Sequence, residues 1–301
     1  MIVIVILLLV ILSFAAYIGI YSIKANSNMQ QVQCQVLRPF GPYSALDAHI
    51  EGNCNAPQKY VAYFNGTTTG FANYIFFDAG FDLNRSFTIS FWMYPLRVGD
   101  GVSGSLYSED VIDLYNHSTN LPQIYLEWRG NGNFNLNICN STVATGVTPN
   151  VTCMEAWKTI NQSNRWIYIT MTYDNGNYSI YMNGTNTNAH NGIDITNFYL
   201  IHPRVWFSYI LPYKPNEFDS EFYGYLSNIQ IYNTSLSQTE VHSLYIHGIN
   251  GTPINIQNLM GWWPLNGNAN DYSGNGNNGI IQGVTFVSNR WLGKQSDASL
   301  V

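Results

Sequence analysis

Residues 164–185 read NRWIYITMTYDNGNYSIYMNGT, two runs of aromatic and β-branched side chains parted by Asp174-Asn175-Gly176-Asn177. Asn-Gly supplies the positive φ angles of a tight hairpin turn, so the stretch predicts two antiparallel neighbours. In FTISFWMYPL (87–96), strict alternation places Phe87, Ile89, Phe91 and Met93 on one face. Thr88, Ser90, Trp92 and Tyr94 occupy the other, a face amphipathic enough to meet a second layer or a partner. Similar runs recur as YVAYFNG (60–66), YIFFDAG (74–80), QIYLEWRG (123–130), NFNLNIC (133–139) and YGYLSNIQIYN (223–233). Short runs broken by Asn, Gly and Asp at intervals of about ten residues are the pattern of an all-β sandwich.

Three blocks, FTISFWMYPL, NRWIYITMTYDNGNYSIYMNGT and YGYLSNIQIYNTSLSQTEVHSLY, together resemble the laminin G-like, concanavalin A-like jelly-roll domain. In that family a strand with a leading Trp, a tight turn and a strand ending in Tyr-X-Asn-Gly form the middle block. Trp166, Asp174 to Gly176, and Tyr181 with Asn183 and Gly184 match it. The family's closing strand and short acidic helix are matched by Ile229 to Tyr232 and Ser237 to Tyr245. The resemblance spans Lys59 to His247 and implies a mainly β, antiparallel jelly-roll sandwich. It says little about activity, because lectins, adhesion modules and glycanases share the fold.

The segment LMGWWPLNGNANDYSGNGNNGIIQGVTFV (259–287) looks like one that opens such a domain, yet here it follows the closing helix. It is expected either to fold back on its own sandwich, to begin a second repeat, or to pair with a neighbouring subunit by strand addition. Exposing Trp262, Trp263 and Phe286 would be costly, which favours packing in cis.

Ahead of all this stands MIVIVILLLVILSFAAYIGIYSI (1–23), without a charged residue. As a helix rising about 1.5 Å per residue it would be roughly 35 Å long, enough to cross a bilayer or line a helical bundle. Its layout resembles that of archaeal type IV pilins, in which a basic leader is removed and an apolar helix carries an exported head. Val5 stands where bacterial pilins have Glu. Met1, Ile4, Leu8, Ile11, Phe14, Ile18 and Tyr21 follow three- and four-residue spacing and form the expected assembly face. The expected division is an apolar helix with polar extension at 1–33, a stapled connector at 34–56, a sandwich at 57–253 and the Trp/Asn/Gly-rich segment at 254–301.

Only 10% of residues are charged and the net charge is -6, which argues against nucleic acid as partner. The 4 cysteines all follow the apolar stretch, as in an oxidising exterior. Three pairings are possible; Cys34 with Cys54 and Cys139 with Cys153 close the shortest loops. Asn-X-Ser/Thr sequons at Asn65, Asn84, Asn116, Asn140, Asn150, Asn161, Asn177, Asn183, Asn233 and Asn250 are candidates for N-linked glycans.

The chain lacks the Glu-X-Asp-X-X-Glu signature of jelly-roll glucanases. Glu109, Asp110 and Asp113 in SEDVIDLY come nearest, but regular alternation pairs Glu109 with Asp113 without a third acid, as loop or edge charges. Glu127 reads as a lone acid and the 6 His residues are scattered, so no enzyme is expected. The resemblance raises calcium as a cofactor, with Asn270, Asp271, Asn275 and Asn277 as the candidate oxygen ligands. The reading that follows is a structural, non-catalytic subunit of an extracellular pilus-like filament. It would polymerise with itself through its N-terminal helices, sit in the membrane before assembly and touch surface glycans through its heads. A singly anchored, glycan-binding adhesin is the alternative, and an anchored polysaccharide hydrolase a distant third.

Overall fold

The computed structural model describes residues 34–37, 49–51, 54, 58–66, 73–96, 108–116, 121–129, 132–142, 150–160, 162–188, 198–208 and 219–289. The expected assembly helix lies outside the described residues. Among the described residues no helix is long and apolar enough to cross a membrane.

The chain runs β1 (Gln35–Leu37), β2 (His49–Glu51), β3 (Tyr60–Asn65), β4 (Tyr74–Asp78), β5 (Leu83–Asn84), β6 (Ser86–Pro95) and β7 (Ser108–Asn116). There follow β8 (Leu121–Arg129), β9 (Asn133–Thr142), β10 (Asn150–Thr159), β11 (Ile167–Asp174), β12 (Asn177–Met182) and β13 (Thr185–Asn186). Next come β14 (Tyr199–Leu200), β15 (Arg204–Phe207), β16 (Asp219–Glu221), β17 (Tyr223–Tyr232) and the helix α1 (Gln238–His247). The last strands are β18 (Leu259–Trp263), β19 (Ile280–Gln282) and β20 (Thr285–Ser288). Sheet I has the order β13-β12-β11-β6-β17-β3-β20 and takes in β5, β14 and β18; sheet II has the order β10-β9-β8-β7-β15-β4-β19, with β16 beside β7. Among the described strands every pairing is antiparallel except that of β16 with β7. This is the expected antiparallel sandwich.

Alternation builds the core. Phe87, Ile89, Phe91 and Met93 on β6 and Ile167, Ile169, Met171 and Tyr173 on β11 point between the sheets, where Ile124, Leu126, Trp128, Phe134 and Leu136 of sheet II meet them. The hairpin forms at Asp174–Asn177, with Asn175 at φ 45 and Gly176 at φ 102. The tail packs in cis: β18 pairs with β17, β19 with β4, and β20 with β3, so it contributes to both sheets.

Much of the outer face of sheet I is also buried. Trp92, Tyr168, Tyr181 and Tyr232 join Val241 and Leu244 of α1, Trp262 of β18, and Cys34 and Val36 in a second apolar cluster. A capping box starts α1, with the Ser237 side chain accepting from the Glu240 N–H and the Glu240 carboxylate accepting from the Ser237 N–H. Asn183, at φ 49, accepts the Tyr168 N–H through Oδ1. Gly184, at φ 73, lies so close to α1 that a Cβ would stand 3.0 Å from His242 and from Tyr245. The Asn-Gly pair therefore lets the helix lie on the sheet.

Burial holds the Tyr168 hydroxyl protonated, pushing its pKa up to about 12, and raises that of Tyr232 well above 10. A tyrosine whose folded pKa exceeds its unfolded one contributes full stability below about pH 10 and loses it as pH climbs through the folded value. We predict that stability is flat up to about pH 10 and falls by roughly 2–3 kcal/mol for Tyr168 alone as pH rises through about 12. Phenolate absorbance and circular dichroism followed together would show it: a late absorbance step should coincide with loss of structure. Titration of all 22 tyrosines in one step near pH 10 with the fold intact would contradict it.

Candidate functional site

The acids singled out in sequence lie on β7 and β8, strands interior to sheet II rather than loops or edges. A register shift between Asp110 and Ile112 breaks the alternation. Asp110 then stands opposite Glu127, and Asp113 opposite Tyr125, so the three carboxylates share the outer face. Glu109 falls on the other side, opposite core Trp128, and its Oε2 accepts the Tyr223 N–H at 3.0 Å. The expected grouping of Glu109 with Asp113 is thus corrected by one bulged residue.

Glu127 is fully buried and held by Arg129 at 3.0 Å, with Asn137 Nδ2 donating to it at 3.4 Å. Arg129 reaches Glu155 at 3.4 Å, and Asn135 donates to Glu155 at 2.7 Å. Burial lowers the Arg129 pKa, but Glu127 and Glu155 outweigh it and the value stands above the usual one. Glu127 Oε2 is thereby taken by Arg129 and Asn137, on a side chain fully buried away from any glycosidic oxygen that an acid would have to reach.

The candidate calcium ligands organise the tail loop instead. Asp271 Oδ1 accepts the Trp262 and Ser273 N–H groups at 3.0 and 2.8 Å. Its Oδ2 accepts the Asn277 N–H and Nδ2 at 2.9 and 3.3 Å. Asn275 and Asn277 turn their NH2 groups on the Met260 carbonyl, each at 3.0 Å, and Asn277 Oδ1 accepts the Gly80 N–H. Asn270 donates its N–H to Asn268. A carboxylate already taken by four donors, beside amides aimed as donors, does not fit calcium, which needs six or more oxygens turned inward.

Both disulfides take the short-loop pairing, Cys34–Cys54 and Cys139–Cys153. β1 and β2 form the antiparallel clasp across the first, and Val36 donates its N–H to the Tyr272 carbonyl of the tail at 2.8 Å. Of the sequon residues, Asn65, Asn84, Asn177, Asn233 and Asn250 are exposed and Asn116 and Asn183 half-buried; Asn140 and Asn150 lie on β9 and β10, and Asn161 is outside the described residues.

One arrangement has no counterpart in the linear sequence. Tyr63, Tyr225 and Tyr94 sit at a single register level across β3, β17 and β6, and Trp166, just before β11, continues the line. Ring centroids follow at 5.3 Å from Tyr63 to Tyr225, 5.6 Å to Tyr94 and 5.5 Å to Trp166, and all four rings are half-exposed. The linear sequence does not single these four out, because the order β3-β17-β6-β11 brings together residues over 160 positions apart.

Among solved structures, the chain is similar to a native heptameric SAP-like pentraxin from Limulus polyphemus, at 12% identity and TM-score 0.53, over 78% of this chain and 98% of that one. It is also similar to a Bacteroides ovatus protein proposed to bind carbohydrate, at 16% identity and TM-score 0.48, over 80% of this chain and 62% of that one. At 12% identity the likeness to the pentraxin speaks to the fold alone. No curated protein sequence matches the chain. A family model matches residues 65–242, more than half of the 301, and on that match the chain belongs to the Concanavalin A-like lectin/glucanases superfamily.

Proposed function

We propose that this chain is a non-catalytic, exported subunit of a pilus-like filament, with residues 1–23 packed among sister helices and the lectin-like head outside, serving adhesion. The observation that carries the reading is the clasp. The first described residue after the apolar stretch, Cys34, is buried, disulfide-bonded to Cys54 and seated with Val36 in the cluster under α1. An apolar stalk is thereby joined to the head at a covalently stapled point, where pulling on one loads the other. Disulfides and a lectin-like sandwich suit an extracellular setting, and the Glu127–Arg129 pair argues against hydrolysis. The membrane holds the subunit before assembly, and exposed sequons such as Asn84 and Asn233 can carry glycans without disturbing the core.

Leu8→Asp tests it. A charge in the middle of a packed apolar helix costs roughly 3 kcal/mol or more per subunit contact, so surface filaments should disappear while the secreted head still folds. Filaments persisting at the usual length would sink the assembly. Loss of filaments together with retained single, cell-bound heads is the outcome the filament reading requires.

A further inference from the structure

The line of rings across sheet I stands where α1 ends its cover. Two residues along β6 from Tyr94, Trp92 is buried beneath Tyr245 of the helix, its ring stacked at 5.8 Å. Tyr94 itself is half-exposed, as are its neighbours Tyr225, Tyr63 and Trp166. The line crosses four strand positions and so is about 15 Å long and one ring wide. The ring planes turn along it: Tyr225 is tilted 38° from Tyr63, and Tyr94 lies at 75° to both Tyr225 and Trp166.

We propose that Tyr63, Tyr225, Tyr94 and Trp166 form a binding strip for a linear, neutral glycan whose pyranose rings stack on those aromatic faces the strip offers and bond to its phenolic hydroxyls. A pyranose presents apolar C–H groups on its faces and hydroxyls around its rim, the complement of a π face with phenolic edges. The four residues are uncharged and Asn65 stands beside Tyr63, whose hydroxyl lies 3.5 Å from its Oδ1, so nothing in the strip selects a charged ligand. Burial holds the Tyr63, Tyr94 and Tyr225 hydroxyls protonated beyond their ordinary range, and they remain donors at any physiological pH. The dimensions separate a glycan from a second copy of the chain. A strip of this size buries a few hundred Å², against roughly 800 Å² per partner in a stable protein interface.

The proposal rests on the adhesive reading of the head but not on filament assembly, so it is tested on dispersed protein. The full chain, held in a detergent without a sugar headgroup, is titrated calorimetrically with linear hexasaccharides of β-linked glucose, β-linked N-acetylglucosamine and α-linked mannose. At least one should bind saturably, and Tyr225→Ala should weaken it by roughly tenfold or more. Tyr225→Phe keeps the ring and should retain most of the affinity. Tyr199→Ala removes a 50% exposed tyrosine elsewhere and should change nothing. Absence of saturable binding to all three, or affinity unchanged in Tyr225→Ala with a native circular dichroism spectrum, overturns the proposal. So does a sedimentation result in which Tyr225→Ala turns a dimer into a monomer, which would assign the strip to self-association.

Discussion

Replacing Trp263 by Ala lowers the unfolding free energy of the head by about 3–5 kcal/mol, a large share of what holds such a domain folded. Trp263 is fully buried, stacks on Phe77 at 4.6 Å and meets Phe207 edge-on at 5.5 Å. Its Nε1 donates to the Asn277 carbonyl at 2.8 Å, so the substitution leaves both a cavity and an unmatched carbonyl. Gly261 leaves room for it: a Cβ there would lie 2.0 Å from the Trp263 ring, and Gly261→Ala should destabilise for the opposite reason, overpacking. Urea unfolding of the two variants measures both effects. A loss below about 1 kcal/mol for Trp263→Ala would mean that the tail is an appendage and not part of the core.

Asp271→Ala is the second large effect, about 2–4 kcal/mol, because one carboxylate gathers four N–H donors from Trp262, Ser273 and Asn277. The loop it organises presents Tyr272, whose carbonyl receives Val36 of the clasp, so the variant should also loosen the stalk junction. Thermal melts with and without a calcium chelator discriminate the physical cause. The wild-type midpoint is expected to be unmoved by the chelator, with Asp271→Ala several degrees lower in either buffer. A wild-type midpoint that falls on chelation would instead make the loop a metal site.

Local chemistry made part of this fold legible. Asn175-Gly176 specified the hairpin, and the two faces of FTISFWMYPL separated as alternation requires. The cysteine pairing followed from loop length. What escaped reading depended on contacts distant in sequence. A single bulged residue, Val111, moved Asp110 to the face of Asp113 and Glu127, and no residue near it advertises a bulge. Thr88 and Ser90 stand on the face expected to meet a second layer and are buried there, but what covers them was not readable: Thr88 Oγ1 donates to the Thr234 carbonyl and accepts the Leu236 N–H in the turn leading to α1. The aromatic strip was illegible because register across three separate strand pairings makes it.

The most direct test of the account is electron microscopy of native surface material, with mass spectrometry identifying the N-terminus of the chain in the same sample. The account predicts filaments with a core of packed helices formed by residues 1–23 and sandwich heads studding the outside, joined through the Cys34–Cys54 clasp. Dispersed, detergent-soluble monomers and no filament containing this chain would contradict it and leave a singly tethered adhesin.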